Sequence, residues 1–134
     1  MAITAFAGPF SNIVLAILFA FPLRIVGPLN AFRFPYLAVI LFSLSGINIG
    51  LAVFNLLPIF PLDGFSVLRG IFSTIHTRWA YRAGDFMDQT MRYGPMIFIF
   101  LLVIDRSLPG RGIIWTILSP AYNLLAWLIL GVNV

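Results

Sequence analysis

The chain has 134 residues, of which 61% are hydrophobic and 9% charged, with a formal net charge of +4. Soluble domains carry about 25% charged residues, so the composition excludes an ordinary soluble domain and predicts an all-α, polytopic membrane helix bundle. The absence of cysteine excludes disulfides, thiolate nucleophiles and zinc fingers. The absence of glutamate excludes the His-Glu-x-x-His helix motif of zinc proteases.

The eight basic residues are all arginines, and they are scattered over predicted loops. A nucleic-acid interface would cluster them on one face, whereas loop arginines beside apolar segments commonly contact lipid headgroups. We therefore expect the lipid bilayer as a partner and no nucleic acid. The arginines divide four against four between the two sides of a four-span topology, so the positive-inside rule leaves the orientation open.

The first predicted span covers residues 2–23, and residues 24–33 are expected to form a short connection because they include glycine, proline and asparagine. Gly8, Ser11 and Asn12 lie at i, i+3 and i+4 and would share one helix face. Small and polar residues on one face allow another helix to approach closely. We interpret this face first as a packing surface.

The second predicted span covers residues 36–57 and contains the GxxxG pair Gly46 and Gly50, which indicates a close helix–helix contact. Asn48 and Asn55 are seven residues apart and would share a face. Such amides need a protein or water partner in a membrane. They either form interhelical hydrogen bonds or line a cavity, and the cavity is favoured for Asn55.

An uncharged run of 29 residues, 34–62, ends at the carboxylate of Asp63. One straight helix of that length would measure about 43 Å, well beyond a hydrocarbon core of about 30 Å. Pro58 and Pro61 each lack an N–H and clash with the preceding turn of a helix. The sequence therefore predicts a proline-broken helix that presents Asp63, and an ionisable group at such a position is a functional candidate.

The residues after the break predict an amphipathic helix at the membrane interface, because apolar residues recur with helical spacing. They are Leu68, Ile71, Phe72, Ile75 and Trp79. We expect Gly84 to end this helix and Asp85 to cap a short one after it. His76 lies among the polar residues, where a solvated side chain is a better interpretation than a metal ligand.

Two further apolar runs predict spans at about 94–106 and 113–132, of which the first is short for a bilayer. The chain thus reads as one transmembrane domain, 1–134, with three spans and a doubtful fourth. We interpret Asp85, Asp88 and Asp105 as loop charges, with Asp88 available to pair with Arg92 at i, i+4.

Two motifs occur in order: Ala7-Gly8-Pro9-x-x-Asn12 in one span, and Asn55-x-x-Pro58-x-x-Pro61-Leu62-Asp63-Gly64 at the end of the next. Together they resemble the site-2 protease family of membrane-embedded zinc metalloproteases. Arg92-Tyr93-Gly94-Pro95 before an apolar run is similar to the bacterial and archaeal members. The resemblance covers most of the chain, but the upstream helix that carries His-Glu-x-x-His in the family is absent from these residues.

The resemblance implies a multi-pass protein of a prokaryotic cell membrane that hydrolyses peptide bonds in transmembrane protein substrates. It implies Zn²⁺ with Asp63 as one ligand, and substrate contacts at Asn55, Pro58, Pro61 and Gly64. A catalytic zinc site needs three protein ligands and an open position for water, and the metal lowers the pKa of that water. No catalytic residue of the family is present, so we expect the chain alone to be inactive and a segment carrying His-Glu-x-x-His to be its partner.

Two alternatives remain at this stage. The first alternative to a protease is a catalytically inactive binding or regulatory membrane protein that keeps the protease-like fold. The second is a transporter fragment, since broken helices with a buried carboxylate also bind ions. The absence of an internal repeat disfavours the transporter.

Overall fold

The computed structural model describes residues 2–31, 35–107, 110 and 112–131, with side chains described from residue 4 to residue 26 in the first helix. All regular structure in these ranges is α-helical, which confirms the predicted class. The helices are α1 Ala2–Ala31, α2 Pro35–Asn55, α3 Asp63–Thr74, α4 Arg78–Met91, α5 Gly94–Ser107 and α6 Ile113–Leu130.

Within the described ranges, three helices are long and apolar enough to cross a membrane, at Thr4–Val26, Pro35–Asn55 and Ile113–Leu130. They coincide with the three spans that the sequence predicts with the clearest signal. The doubtful fourth span is α5, whose 14 residues measure about 21 Å. That length is shorter than a hydrocarbon core of about 30 Å.

The first helix runs further than its sequence predicts. The expected connection over 24–33 is wrong for residues 24–31, because α1 continues to Ala31, and the last two residues of that connection lie outside the described residues. Inside a helix, a glycine such as Gly27 costs about 1 kcal/mol and a proline such as Pro28 costs about 3 kcal/mol, whereas each backbone polar group left unpaired in a membrane costs several kcal/mol. The turn-forming residues were therefore insufficient to end the helix at residue 23.

The buried core lies where α1, α2 and α6 meet. It is built from small and branched residues, namely Ala16, Ala20, Ile49, Val53, Ala126 and Ile129. Small residues at helix interfaces let the backbones approach closely. The fully buried Ser45 of α2 donates a hydrogen bond from Oγ to the Ala16 carbonyl of α1 at 2.9 Å, so a polar bond also joins these two helices.

The GxxxG pair of α2 contacts α6. A Cβ atom on Gly46 would lie 3.2 Å from the Tyr122 hydroxyl oxygen, and one on Gly50 would lie 3.9 Å from the Tyr122 ring. The close helix–helix contact predicted from Gly46 and Gly50 is therefore confirmed, and its partner is the aromatic side chain of Tyr122.

The predicted single amphipathic helix is two helices. α3 ends at Thr74 and α4 begins at Arg78, and the chain is extended between them at Ile75. Three residues at this junction, Thr74, Ile75 and Thr77, are β-branched, and β-branching lowers helix propensity. The Phe72 and Trp79 rings meet edge to face, 5.6 Å apart, across the junction.

The predicted helix end at Gly84 and the loop assignments of Asp85, Asp88 and Asp105 are also wrong. Gly84, Asp85 and Asp88 lie inside α4, and Asp105 lies in α5. Asp105 accepts a hydrogen bond on Oδ1 from the Ile114 amide at 2.8 Å. Because that amide is one of the unpaired N–H groups at the start of α6, Asp105 joins the end of α5 to the start of α6.

Candidate functional site

The predicted break separates α2 from α3. α2 ends at Asn55, residues 56–62 are irregular, and α3 begins at Asp63. Turn hydrogen bonds shape this segment, including one from the Leu62 amide to the Ile59 carbonyl at 2.8 Å. Pro58 and Pro61 cannot donate to a helical ladder, which is why the chain leaves the helix here.

Asp63 is the first residue of α3 and is half-buried. A carboxylate in the first turn of a helix is favoured by the unpaired N–H groups and the helix dipole. The carboxylate also faces α1, since a Cβ atom on Gly8 would lie 2.5 Å from Asp63 Oδ2 and 3.5 Å from Asp63 Cγ. The structure therefore brings the first sequence motif against the acid of the second.

A second glycine, Gly64, allows the beginning of α3 to approach the first residues of the irregular segment that precedes it. Gly64 is buried, and a Cβ atom on it would overlap the Leu56 carbonyl group and lie 2.5 Å from the Leu57 oxygen. Contacts below 3.0 Å with backbone atoms cannot be relieved by a side-chain rotation. The glycine after Asp63 is thus accounted for by packing of the chain on itself.

A third glycine, Gly94 at the start of α5, packs on the broken segment. A Cβ atom on Gly94 would lie 2.5 Å from Phe60 Cδ1 and 2.8 Å from Phe60 Cβ. Phe60 also meets the buried Phe65 edge to face at 5.7 Å. The sequence did not predict the contact between Gly94 and Phe60, although the Gly94-Pro95 motif marks the position of the glycine. Three helices, α1, α3 and α5, therefore approach the break through glycines.

The other predicted site residues surround this segment without a described contact to the acid. Asn55 is the last residue of α2 and is half-buried, whereas Pro58 and Pro61 are exposed. Asn48 donates to the Leu44 carbonyl of its own helix at 2.8 Å. We expected Asn48 to form an interhelical hydrogen bond or to line a cavity, and this bond within α2 is neither. A side-chain amide can donate to a backbone carbonyl one turn earlier in its own helix.

The helix that begins with Asp63 is joined to α4 by an ion pair. Arg69 donates from Nε to Asp88 Oδ1 and from Nη2 to Asp88 Oδ2, the second at 2.8 Å. Asp88 therefore pairs with Arg69 and not, as the spacing suggested, with Arg92. The hydrogen bond from Arg69 lowers the pKa of Asp88, and the same bond raises the pKa of Arg69. Both side chains are more than 40% exposed, so solvent screens this pair.

The described residues do not fit a zinc site on their own. No group of three His, Cys, Asp or Glu side chains comes together among them. His76 is exposed in the connection between α3 and α4, and the remaining aspartates have the partners or positions given above. Asp63 can offer carboxylate oxygens to a metal, but a tetrahedral zinc centre needs three protein ligands.

The membrane-length helices define the class of this molecule as a membrane protein. The second of these helices, α2, is followed by the irregular segment that leads to Asp63. The family model of Peptidase family M50 matches residues 22–102, which is 81 of the 134 residues. The chain belongs to this family, the site-2 protease family of zinc metalloproteases. The match includes the Asp63 motif and Gly94. Neither the curated proteins nor the solved structures gave a match.

Proposed function

We propose that this chain is part of an intramembrane zinc metalloprotease of the site-2 type, a multi-pass protein of a prokaryotic cell membrane, and that Asp63 is one of its zinc ligands. The observation that carries the proposal is the position of Asp63. It is the only carboxylate in the first turn of a described helix, it directly follows a proline-broken segment, and it lies within the family match.

The surroundings of Asp63 suit a metal ligand. Its carboxylate is half-buried between the start of α3 and the backbone of α1, and burial disfavours a charge without a compensating partner. No ion pair is described for Asp63, whereas Asp88 has Arg69. A cation at Asp63 would add to the stabilisation that the start of α3 gives the carboxylate.

Two further ligands and the general base would come from outside these 134 residues. The chain has one histidine and no glutamate, so a His-Glu-x-x-His segment is the partner that the proposal requires. Bound zinc in such an enzyme lowers the pKa of a coordinated water.

The irregular segment suits the binding of a peptide substrate. Residues 56–62 lie outside any helix, and non-helical backbone at membrane depth is tolerated where it lines a protein or water-filled cavity. Pro58 and Pro61 are exposed at this segment, and Asn55 stands at its start. We assign substrate contacts to Asn55, Pro58, Pro61 and Gly64, with a transmembrane protein as the substrate. For the buried Gly64, the contact would be through the backbone.

Metal analysis tests the proposal. We expect the chain purified alone to hold far less than one zinc ion per molecule and to cleave no transmembrane substrate. Co-expressed with a membrane segment that carries His-Glu-x-x-His, it should hold one zinc ion. Asp63→Asn should abolish this binding, and the matched Asp88→Asn variant should keep it because Asp88 lies in α4 and pairs elsewhere.

Two results would count against the proposal. Tight, stoichiometric zinc in the chain alone would show that the ligands are not missing, and zinc retained by the complex with Asp63→Asn would remove Asp63 from the ligand set. The DNA upstream of the Met1 codon offers a separate check, since an in-frame His-Glu-x-x-His there would identify the partner segment.

The contact between Asp63 and α1 favours a second candidate, an inactive binding or regulatory membrane protein in which the acid has a structural role. Asp63→Asn conserves the shape of the side chain and removes its charge. A large loss of thermal stability in the isolated chain would favour the structural role. Unchanged stability, together with lost zinc in the complex, would favour the ligand.

A further inference from the structure

We propose that Gly8 is a positioning residue for the Asp63 carboxylate. Because Gly8 has no side chain, the Asp63 carboxylate can lie directly against the backbone of α1. Any side chain at position 8 would displace the carboxylate. The inference rests on the proposed function only in taking the Asp63 carboxylate as a zinc ligand. The contact between Gly8 and Asp63 does not depend on a metal.

The contact is specific to the acid. Among the described residues, and leaving aside the backbone of α1 itself, a Cβ atom on Gly8 would have two neighbours within 4 Å, and both are atoms of the Asp63 side chain, Oδ2 at 2.5 Å and Cγ at 3.5 Å. The other close glycines differ, because Gly64 meets backbone carbonyls and Gly94 meets an aromatic ring. Gly8 therefore limits where the carboxylate can lie and does not serve packing in general.

α1 is not free to move away from a new side chain. Pro9, the next residue, is fully buried, and Ala16 further along α1 is also fully buried. The Ala16 carbonyl accepts the buried hydrogen bond from Ser45 of α2. Because α1 is held on α2 in this way, the Asp63 side chain is the group that yields when a methyl group is added at position 8.

A double-mutant cycle in the full chain, followed by thermal unfolding in detergent, tests the contact. Gly8→Ala should be less favourable for the melting temperature in the wild-type background than in the Asp63→Ala background, because the carboxylate must move to make room for the methyl group. In the Asp63→Ala background, Cγ and Oδ2 are gone, and the same substitution should be neutral or raise the melting temperature, because alanine is the better helix former. If the Gly8→Ala chain fails to fold, restored folding in the Gly8→Ala, Asp63→Ala double variant would equally support the contact.

The matched control is Gly84→Ala. Gly84 is also a helical glycine, and a Cβ atom there would meet no atom of the described part of the chain within 4 Å. Its effect on the melting temperature should be the same with Asp63 or Ala at position 63. An equal shift for Gly8→Ala in both backgrounds would overturn the proposal, because it would reduce Gly8 to a residue needed for helix packing.

Zinc binding in the complex with the His-Glu-x-x-His segment separates this inference from the proposed function. Gly8→Ala should weaken zinc affinity by about tenfold or more, the scale seen when a group that orients a ligand is lost, and Gly84→Ala should not. Wild-type affinity in Gly8→Ala, with binding abolished by Asp63→Asn, would refute positioning and leave the ligand role standing. Coupling in the cycle without any zinc binding would support the contact and refute the proposed function.

Discussion

Gly64→Ala is the substitution for which the structure makes the sharpest stability prediction. Gly64 is the second residue of α3 and is buried. The added methyl group would overlap the Leu56 carbonyl and lie 2.5 Å from the Leu57 oxygen. Both neighbours are backbone atoms of the segment that leads to Asp63, so the start of α3 or the segment itself must shift.

The expected cost follows from two opposing effects. Overpacking a tight site costs about 1–3 kcal/mol, and the upper end applies here because backbone atoms cannot rotate away. The better helix propensity of alanine returns at most about 1 kcal/mol. We therefore expect Gly64→Ala to lower the free energy of unfolding by about 2 kcal/mol.

Chemical or thermal unfolding of the purified chain in detergent measures this change. Gly84→Ala is the matched control, since its methyl group would enter open space, and it should stabilise α4 by at most about 1 kcal/mol. A Gly64→Ala chain as stable as the wild type, beside a normal Gly84→Ala control, would refute the close approach of α3 to residues 56 and 57.

Two further predictions concern polar contacts between helices. Ser45→Ala removes the buried hydrogen bond to the Ala16 carbonyl and should lower the free energy of unfolding by about 1 kcal/mol or less; a larger loss would mean that Ser45 has another role. Arg69→Gln should cause a small, salt-dependent loss of stability that Arg92→Gln does not. Because Arg69 lowers the pKa of Asp88 from 3.8, the contribution of this pair is present above about pH 3.8 and is lost as the pH falls further. Acid titration of unfolding that gives identical curves for the wild type and Arg69→Gln would contradict this.

Much of the fold could be predicted from local pattern. Runs of apolar residues fix where a helix can cross a bilayer, because length and hydropathy are properties of one segment, and the three long helices lie where those runs are. The break was equally local, since Pro58 and Pro61 remove backbone donors whatever surrounds them. Helix ends were less predictable, as α1 passed through turn-forming residues to Ala31.

The pairing of residues across the structure could not be predicted in the same way. A small-residue face such as that of Gly8 fits any helix that comes near, so the sequence alone did not show that it meets Asp63, 55 positions later. Asp88 had an arginine at the right helical spacing, Arg92, yet it pairs with Arg69. The fold of α4 against α3 decided that choice, because an exposed i, i+4 pair is worth only a few tenths of a kcal/mol.

By itself, the sequence determined that this is an all-helical membrane chain, that its second long helix breaks before Asp63, and that it carries one histidine and no glutamate. These are consequences of composition and of single residues with strong backbone effects. Only the tertiary structure decided that glycines of α1, α3 and α5 surround the break and that α1 lies against the acid. Such contacts depend on how the helices pack, and packing is a property of the whole chain.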